Sequence, residues 1–301
     1  MIEPSLNAPP VYRRMLAGGA EPLRLSRAGV AAVLAGAAAL AGVLWFRRHV
    51  GWDGPDVAFW STWLGAGATA LVVALLVARW LAGPLATAAG LLCLSAAAVL
   101  PGAIDAPPGA VAAGAFALFA LANVPGRLRV VTRPEVAWGC FALIAAVTVC
   151  FGPLTGGAIL ATCVAMVLAG QNSRALRQFI RPAPLAILAV GAAVWLICGP
   201  EFDYPGVQPH RLLTLAVEAM VALLPWSPMA VVALVVGVRQ GHWAAPFWRL
   251  VGCWIAAPVV LAPLGILQPP AALAICVPGL AILTAAGAAV LLPAVRRRWA
   301  R

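Results

Sequence analysis

Ten apolar stretches, joined by short links, make up almost all of this chain of 301 residues. An α-helix needs about 17 to 25 apolar residues to cross a bilayer. The stretches lie near residues 28–46, 60–78, 85–100, 109–124, 136–151, 156–170, 184–199, 223–238, 250–265 and 271–293. Those that fall a little short are expected to extend by a turn or to lie in locally thinned bilayer. The pattern predicts an all-α, polytopic membrane protein with about ten transmembrane helices.

The composition agrees with this prediction. Hydrophobic residues make up 63% of the chain and charged residues 10%, and the mean hydropathy is +0.98. These values lie far outside the range of soluble domains. The net charge of +11 is spread over many short links and is not clustered on one soluble face. It therefore indicates topology, and we expect no nucleic-acid partner.

Arginine recurs in every second link, which orients the predicted helices. The arginines in these links are Arg13, Arg14, Arg24, Arg27, Arg79, Arg127, Arg129, Arg133, Arg174, Arg177, Arg181, Arg239, Arg249, Arg296, Arg297, Arg298 and Arg301. The alternate links hold Asp53, Asp56, Asp105, Glu201 and Asp203. Basic links stay on the cytoplasmic side. We therefore expect a multi-pass protein of the plasma (inner) membrane, with both termini cytoplasmic and the acidic links outside.

The chain offers no room for a separate soluble domain. Residues 1–27 are predicted to form a cytoplasmic segment, residues 28–295 a single transmembrane domain, and residues 296–301 a basic cytoplasmic tail. The first apolar stretch is longer than a typical signal sequence, so we expect an uncleaved anchor. Seven cysteines lie in or beside the apolar stretches without CxxC spacing. They are interpreted as packing residues, and no metal-ligand cluster is predicted.

The first outer link, FRRHVGWDGPDVAFW, combines arginines with two carboxylates. Asp53 and Asp56 follow Arg47 and Arg48, which interrupt the alternation of basic links. A carboxylate held beside arginines at a membrane surface can act as a general base near an anionic lipid phosphate. The same residues also suit a solvated turn, with the arginines extending to the headgroups. Both interpretations stay open, and for the lone Asp105 in the second outer link a helix cap is the alternative.

The fourth outer link is the richest in polar groups. It contains Glu201, Asp203 and Tyr204, followed by His210 and a helical pattern. In this pattern Arg211, Thr214 and Glu218 recur at spacings of three and four among apolar residues. We favour an amphipathic helix in the outer interface. The alternative is a longer, kinked membrane helix with Glu218 inside the membrane, where a carboxylate is costly and usually functional.

Five segments, in order, resemble a known enzyme family. They are ARWLAGPLATAAGLL at 78–92, GAIDAPPGAVAAGAFALFAL at 102–121, FGPLTGGAIL at 151–160, LLPWSPMAVVALVVGVRQ at 223–240, and the segment from FWRLVGCWIAAP to VPGLAIL at 247–283. Together they are similar to the GT-C membrane glycosyltransferases of the protein O-mannosyltransferase and aminoarabinose transferase group (family 39-like). The "LLPWS" entry into a late span is the most specific of these pieces.

The resemblance implies a GT-C-like fold and transfer of a sugar from a polyprenyl-phosphate donor at the outer face of the membrane. It places Asp53, Asp56 and Asp105 among the catalytic candidates. The candidates for donor-phosphate binding are Arg47, Arg48, His210 and Arg211, and further outer-face candidates are Glu201, Asp203, Tyr204 and Glu218. The implied partners are the lipid-linked sugar, membrane lipids, and a glycan, lipid or protein acceptor. A requirement for a divalent metal stays open.

The chain departs from the family pattern at three places. The long first outer loop is missing, Gly156 stands where a lysine is usual, and the late Arg-Tyr pair is absent around 268–272. Two alternatives therefore stay beside the transferase hypothesis. One is a noncatalytic GT-C-like membrane subunit, and the other is a protein that binds or transports lipid-linked sugars.

Overall fold

A computed structural model describes seven helices with defined bounds and several shorter pieces. It describes residues 27–49, 57–78, 81, 83–99, 141–145, 148, 156–157, 159–160, 182–198, 214, 217–218, 220–221, 224, 226–239, 246–265 and 269–299. The helices are α1 (Arg27–His49), α2 (Val57–Val77), α3 (Gly83–Val99), α4 (Pro182–Cys198), α5 (Ser227–Arg239), α6 (Pro246–Leu261) and α7 (Pro269–Trp299). Across these ranges all regular secondary structure is helical, which confirms the all-α class there.

The helices agree with the apolar stretches, apart from shifts at their ends. The prediction near 223–238 begins too early, because α5 begins at Ser227. The prediction near 271–293 is too short, since α7 continues to Trp299 and so includes most of the predicted basic tail. The stretches near 136–151 and 156–170 are described only in part and are helical there. The stretch near 109–124 lies outside the described residues.

Prolines stand in the first turns of most of these helices. Pro182, Pro246 and Pro269 are the first residues of α4, α6 and α7, and Pro84 and Pro228 are the second residues of α3 and α5. A proline is tolerated in the first turn because the backbone N–H that it lacks has no partner within the helix there. At the other end of α6, Gly265 has φ of 72°, a conformation that suits glycine, and its N–H donates to Ala262.

Helix α7 is the centre of the described assembly. It contacts α2, α3, α5 and α6, while α1 packs on α2 and α3. Every residue of α7 from Ile275 to Gly287 is buried. Thr284 in this stretch donates its hydroxyl to the carbonyl of Leu280 at 2.9 Å. An apolar surface on all sides is typical of a helix that is enclosed by other elements.

Glycines allow the closest approaches between helices. A Cβ atom added to Gly90 of α3 would lie 2.9 Å from the carbonyl oxygen of Ala70 on α2 and 3.1 Å from a methyl group of Val33 on α1. Gly287 of α7 similarly lies against the backbone of Met229 on α5. No helix in the part of the chain that the structure describes meets the combined length and apolarity that a membrane crossing requires.

Candidate functional site

Most of the predicted site residues fall outside the described residues. These are Asp53, Asp56, Asp105, Glu201, Asp203, Tyr204, His210 and Arg211. Arg47 and Arg48 lie in the last turn of α1, which ends at His49. The link to α2 is therefore confined to residues 50–56. Glu218 is described with its side chain, so the part of the site that the structure characterises is the surface around it.

Glu218 lies on a helical segment that precedes α5. Residues 214, 217–218 and 220–221 are helical, and the N–H of Leu224 donates to the carbonyl of Val221 at 3.0 Å in the turn that follows. The Glu218 side chain is partly exposed, whereas Val217 beside it is 54% exposed and Val221 52% exposed. The carboxylate therefore lies at the edge of an exposed apolar surface.

Helix α5 also exposes apolar side chains, and its side chains are sorted by size. The buried residues of α5 are all small, namely Ser227, Ala230, Ala233 and Gly237. The exposed large residues are Val231, Leu234, Val235 and Val238. In water the hydrophobic effect favours burial of the larger apolar side chains. In lipid, helices approach each other through small residues and larger ones face the acyl chains. On α5 the small residues form the buried face and the large apolar residues the exposed face.

The small face of α5 meets two neighbouring helices. A Cβ atom added to Gly237 would lie 2.9 to 3.1 Å from ring atoms of Trp248 on α6, which is 1% exposed. A Cβ atom on Gly287 of α7 would overlap the carbonyl group of Met229 on α5. The inner face of α5 therefore packs closely against α6 and α7, and its outer face is exposed.

Helix α4 shows the same exposure around most of its surface. Its sequence, PAPLAILAVGAAVWLIC, contains no charged, hydroxyl or amide side chain. Leu185, Val190 and Val194 are exposed, and Leu196 and Ile197 are 77% and 81% exposed. Gly191 is buried, and a Cβ atom added there would lie 2.8 Å from Cβ of Ala145. Exposed apolar surfaces of this kind mark contacts with lipid, protein or ligand.

The position at which the family pattern has a lysine is closed in this chain. Gly156 is buried against Thr148, and an added Cβ atom would overlap the Thr148 side chain. The Thr148 hydroxyl already donates to the carbonyl of Ile144 at 2.9 Å. A lysine side chain could not be accommodated at this position without moving the threonine.

The described interior offers no metal centre. No group of three or more histidine, cysteine, aspartate or glutamate side chains occurs within the described ranges. Cys93, Cys253 and Cys276 are free thiols, of which Cys93 and Cys276 are buried. The buried hydroxyl of Thr69 donates to the carbonyl of Gly65 on its own helix at 2.7 Å. The packing role expected for the cysteines stays a prediction.

Sequence reasoning missed the exposed apolar surface that extends from Val217 to Val238. It concentrated on the polar positions 211, 214 and 218. The large apolar residues between and after them also recur at spacings of three and four, which indicates one face of a helix. Comparison with known proteins adds nothing to this picture, because no family model, curated protein or solved structure matches the chain.

Proposed function

We propose that the chain is an integral membrane glycosyltransferase with a GT-C-like fold. It transfers a sugar from a polyprenyl-phosphate donor to a glycan, lipid or protein acceptor at the outer face of the plasma (inner) membrane. Its membrane placement is supported by the arginine alternation and by the mean hydropathy of +0.98. The observation that carries it is the exposed, wholly apolar surface of α4. The membrane placement is supported by the sequence and by the exposed side chains, and not by the lengths of the helices.

The transferase activity is supported by five segments that resemble the family in order, and by acids in the predicted outer links. In the proposed reaction, Asp53 or Asp56 accepts the proton of an acceptor hydroxyl. The acceptor oxygen forms a bond to the anomeric carbon of the sugar, and the bond from this carbon to the phosphate oxygen breaks. Polyprenyl phosphate leaves with the electron pair, and Arg47 or Arg48 binds its phosphate.

A noncatalytic subunit of the same architecture is the second candidate. Two observations favour it: the link of residues 50–56 between α1 and α2 leaves no room for a long first outer loop, and Gly156 closes the lysine position. Such a protein would bind a lipid-linked sugar or a partner enzyme without turnover. Transport of a lipid-linked sugar is a third candidate, which predicts movement of the sugar lipid across vesicles without transfer to an acceptor.

The test is turnover of a panel of polyprenyl-phosphate sugars by the purified protein in detergent. The Asp53→Asn/Asp56→Asn double variant removes both predicted bases, and Glu21→Gln/Glu135→Gln is the matched control because its carboxylates lie in predicted cytoplasmic segments. We expect the first variant to lose at least about 100-fold in turnover, the lower range for general-base catalysis, and the control to keep its rate. Equal rates in both variants would contradict the assigned base.

Binding of a sugar lipid without turnover would favour the noncatalytic subunit. A direct binding measurement on the same preparations, with dolichyl- and undecaprenyl-type donors, separates these results from simple inactivity. No binding by a protein that is folded and monodisperse would contradict both the transferase and the noncatalytic sugar-lipid binder.

A further inference from the structure

A stripe of exposed side chains follows the chain from Val217 to Val238. Its members are alternately four and three residues apart, the spacing of side chains on one face of a helix. They are Val217, Val221, Leu224, Pro228, Val231, Val235 and Val238, and every one of them is exposed. The turn at Leu224 and Trp226 separates Val217 and Val221 from the members on α5, so the shared helix face is that of Pro228, Val231, Val235 and Val238. We call this set the 217–238 stripe.

The side chains of the stripe suit acyl chains better than another helix. The stripe contains no glycine, alanine or serine, whereas the buried face of α5 is made of these residues. Contacts between membrane helices are enriched in such small residues, because they let the backbones approach. A second copy of the chain packed on the stripe would be kept at a distance by valine and leucine side chains.

The part of the stripe on α5 has the dimensions of one leaflet. From Pro228 to Val238 the helix rises about 15 Å, half of the roughly 30 Å hydrocarbon thickness of a bilayer. Arg239 follows directly as the exposed last residue of α5. The apolar face of α5 therefore ends at a cation. A guanidinium group can bind a phosphate through two parallel hydrogen bonds.

We propose that the 217–238 stripe is a lipid-contact surface and that Arg239 binds an anionic phospholipid. The acyl chains of this lipid lie along Val238, Val235 and Val231, and its headgroup meets the guanidinium. The inference rests on the membrane placement proposed above, but not on the sugar-transfer reaction. It defines a lipid site on the side of the membrane that holds the arginine-rich links.

The test uses the full chain in nanodiscs of equimolar phosphatidylglycerol and phosphatidylcholine. A diazirine analogue of leucine is introduced singly at Val235, Val238, Val190 or Ile282, and photo-adducts are identified by mass spectrometry. Val190 on α4 is 62% exposed and reports membrane contact independently of the stripe, whereas Ile282 is fully buried on α7. We expect lipid adducts at Val190, Val235 and Val238, and internal adducts at Ile282.

The headgroup preference is measured with the probe at Val238. We expect about a fivefold excess of phosphatidylglycerol adducts, the factor that one basic residue contributes near an anionic surface. Arg239→Gln should abolish this excess, whereas Arg177→Gln, in another predicted cytoplasmic link, should leave it unchanged. An equal yield of both lipids, or an excess that survives Arg239→Gln, would overturn the headgroup site.

The remaining outcomes separate the stripe from the membrane placement. Lipid adducts at Val190 with none at Val235 and Val238 would overturn the stripe and leave the membrane placement intact. Crosslinks from Val235 to a second copy would make the stripe a protein interface and overturn the proposal. No lipid adduct at any of the three exposed positions would contradict the membrane placement itself.

Discussion

Trp254 and Ile275 join α6 to α7, because the indole Nε1 of Trp254 donates a hydrogen bond of 3.0 Å to the carbonyl oxygen of Ile275. Both residues are fully buried. The bond lies three residues before Pro278, which has no backbone N–H to donate within α7. It therefore fastens α7 to its neighbour next to the point where the hydrogen bonding of α7 is interrupted.

Trp254→Phe should destabilise the protein measurably. We expect the free energy of unfolding to fall by about 2 kcal/mol, from the lost hydrogen bond and from the volume that phenylalanine does not fill. The measurement is denaturant unfolding of the detergent-purified protein, followed by circular dichroism. Trp226→Phe is the control, because Trp226 is 49% exposed and its change should stay within about 0.5 kcal/mol. Equal losses in the two variants would contradict the role of the indole hydrogen bond.

Gly287→Ala should weaken the packing of α5 against α7 and destabilise the protein. The added methyl group would overlap the backbone carbonyl of Met229, which cannot rotate away as a side chain can. We expect a loss of about 1 to 3 kcal/mol, the usual range for overpacking. Gly67→Ala is the matched control, since its methyl group would lie 3.4 Å from Cβ of Ala37, an ordinary contact. If Gly287→Ala unfolds at the same denaturant concentration as wild type, the close approach of α5 and α7 is wrong.

Gly156→Ala should destabilise the protein and Gly157→Ala should not, although the residues are adjacent. An added methyl group at Gly156 meets Thr148, whereas one at Gly157 meets no atom within 4 Å. We expect Gly156→Ala to cost about 1 to 3 kcal/mol. Gly157→Ala should be neutral or stabilise by up to about 1 kcal/mol through higher helix propensity. Unfolding curves of the two variants provide the comparison.

The Thr148→Ala/Gly156→Ala double variant tests the cause of the Gly156 effect. Removal of the threonine hydroxyl relieves the closest overlap, so the double variant should be more stable than the sum of the two single changes predicts. Additive losses would show that the Gly156 effect does not come from Thr148.

Within the described residues, hydropathy was sufficient to place the helices, but not their ends. Hydropathy alone marks a span from residue 223, yet α5 begins at Ser227, because Pro228 lacks the N–H that a helix interior requires and is tolerated only in a first turn. Hydropathy also stops at residue 293, yet α7 continues through Arg296, since arginine is a good helix former.

The packing of the helices could not be predicted. Gly90 lies where α1, α2 and α3 meet, but nothing in its local sequence separates it from the other glycines of an alanine- and glycine-rich chain. The outer face of α5 was missed for another reason: hydropathy does not separate its small apolar residues from its large ones, and only the spacing of the small residues, three and four apart, marks the inner side. The predicted acids Asp53, Asp56 and Asp105 stay predictions, since they lie outside the described residues.

The central claim, that the chain is a multi-pass membrane protein with alternating links, is tested most directly by topology mapping. Epitope tags are inserted singly into the full chain after residues 54, 105, 128, 176, 202 and 241, and antibody access is compared in intact and permeabilised spheroplasts. We predict access in intact cells at 54, 105 and 202, access only after permeabilisation at 128, 176 and 241, and retention of the chain in alkaline-washed membranes. Release of the chain by the alkaline wash, or equal access at all six positions, would contradict the claim.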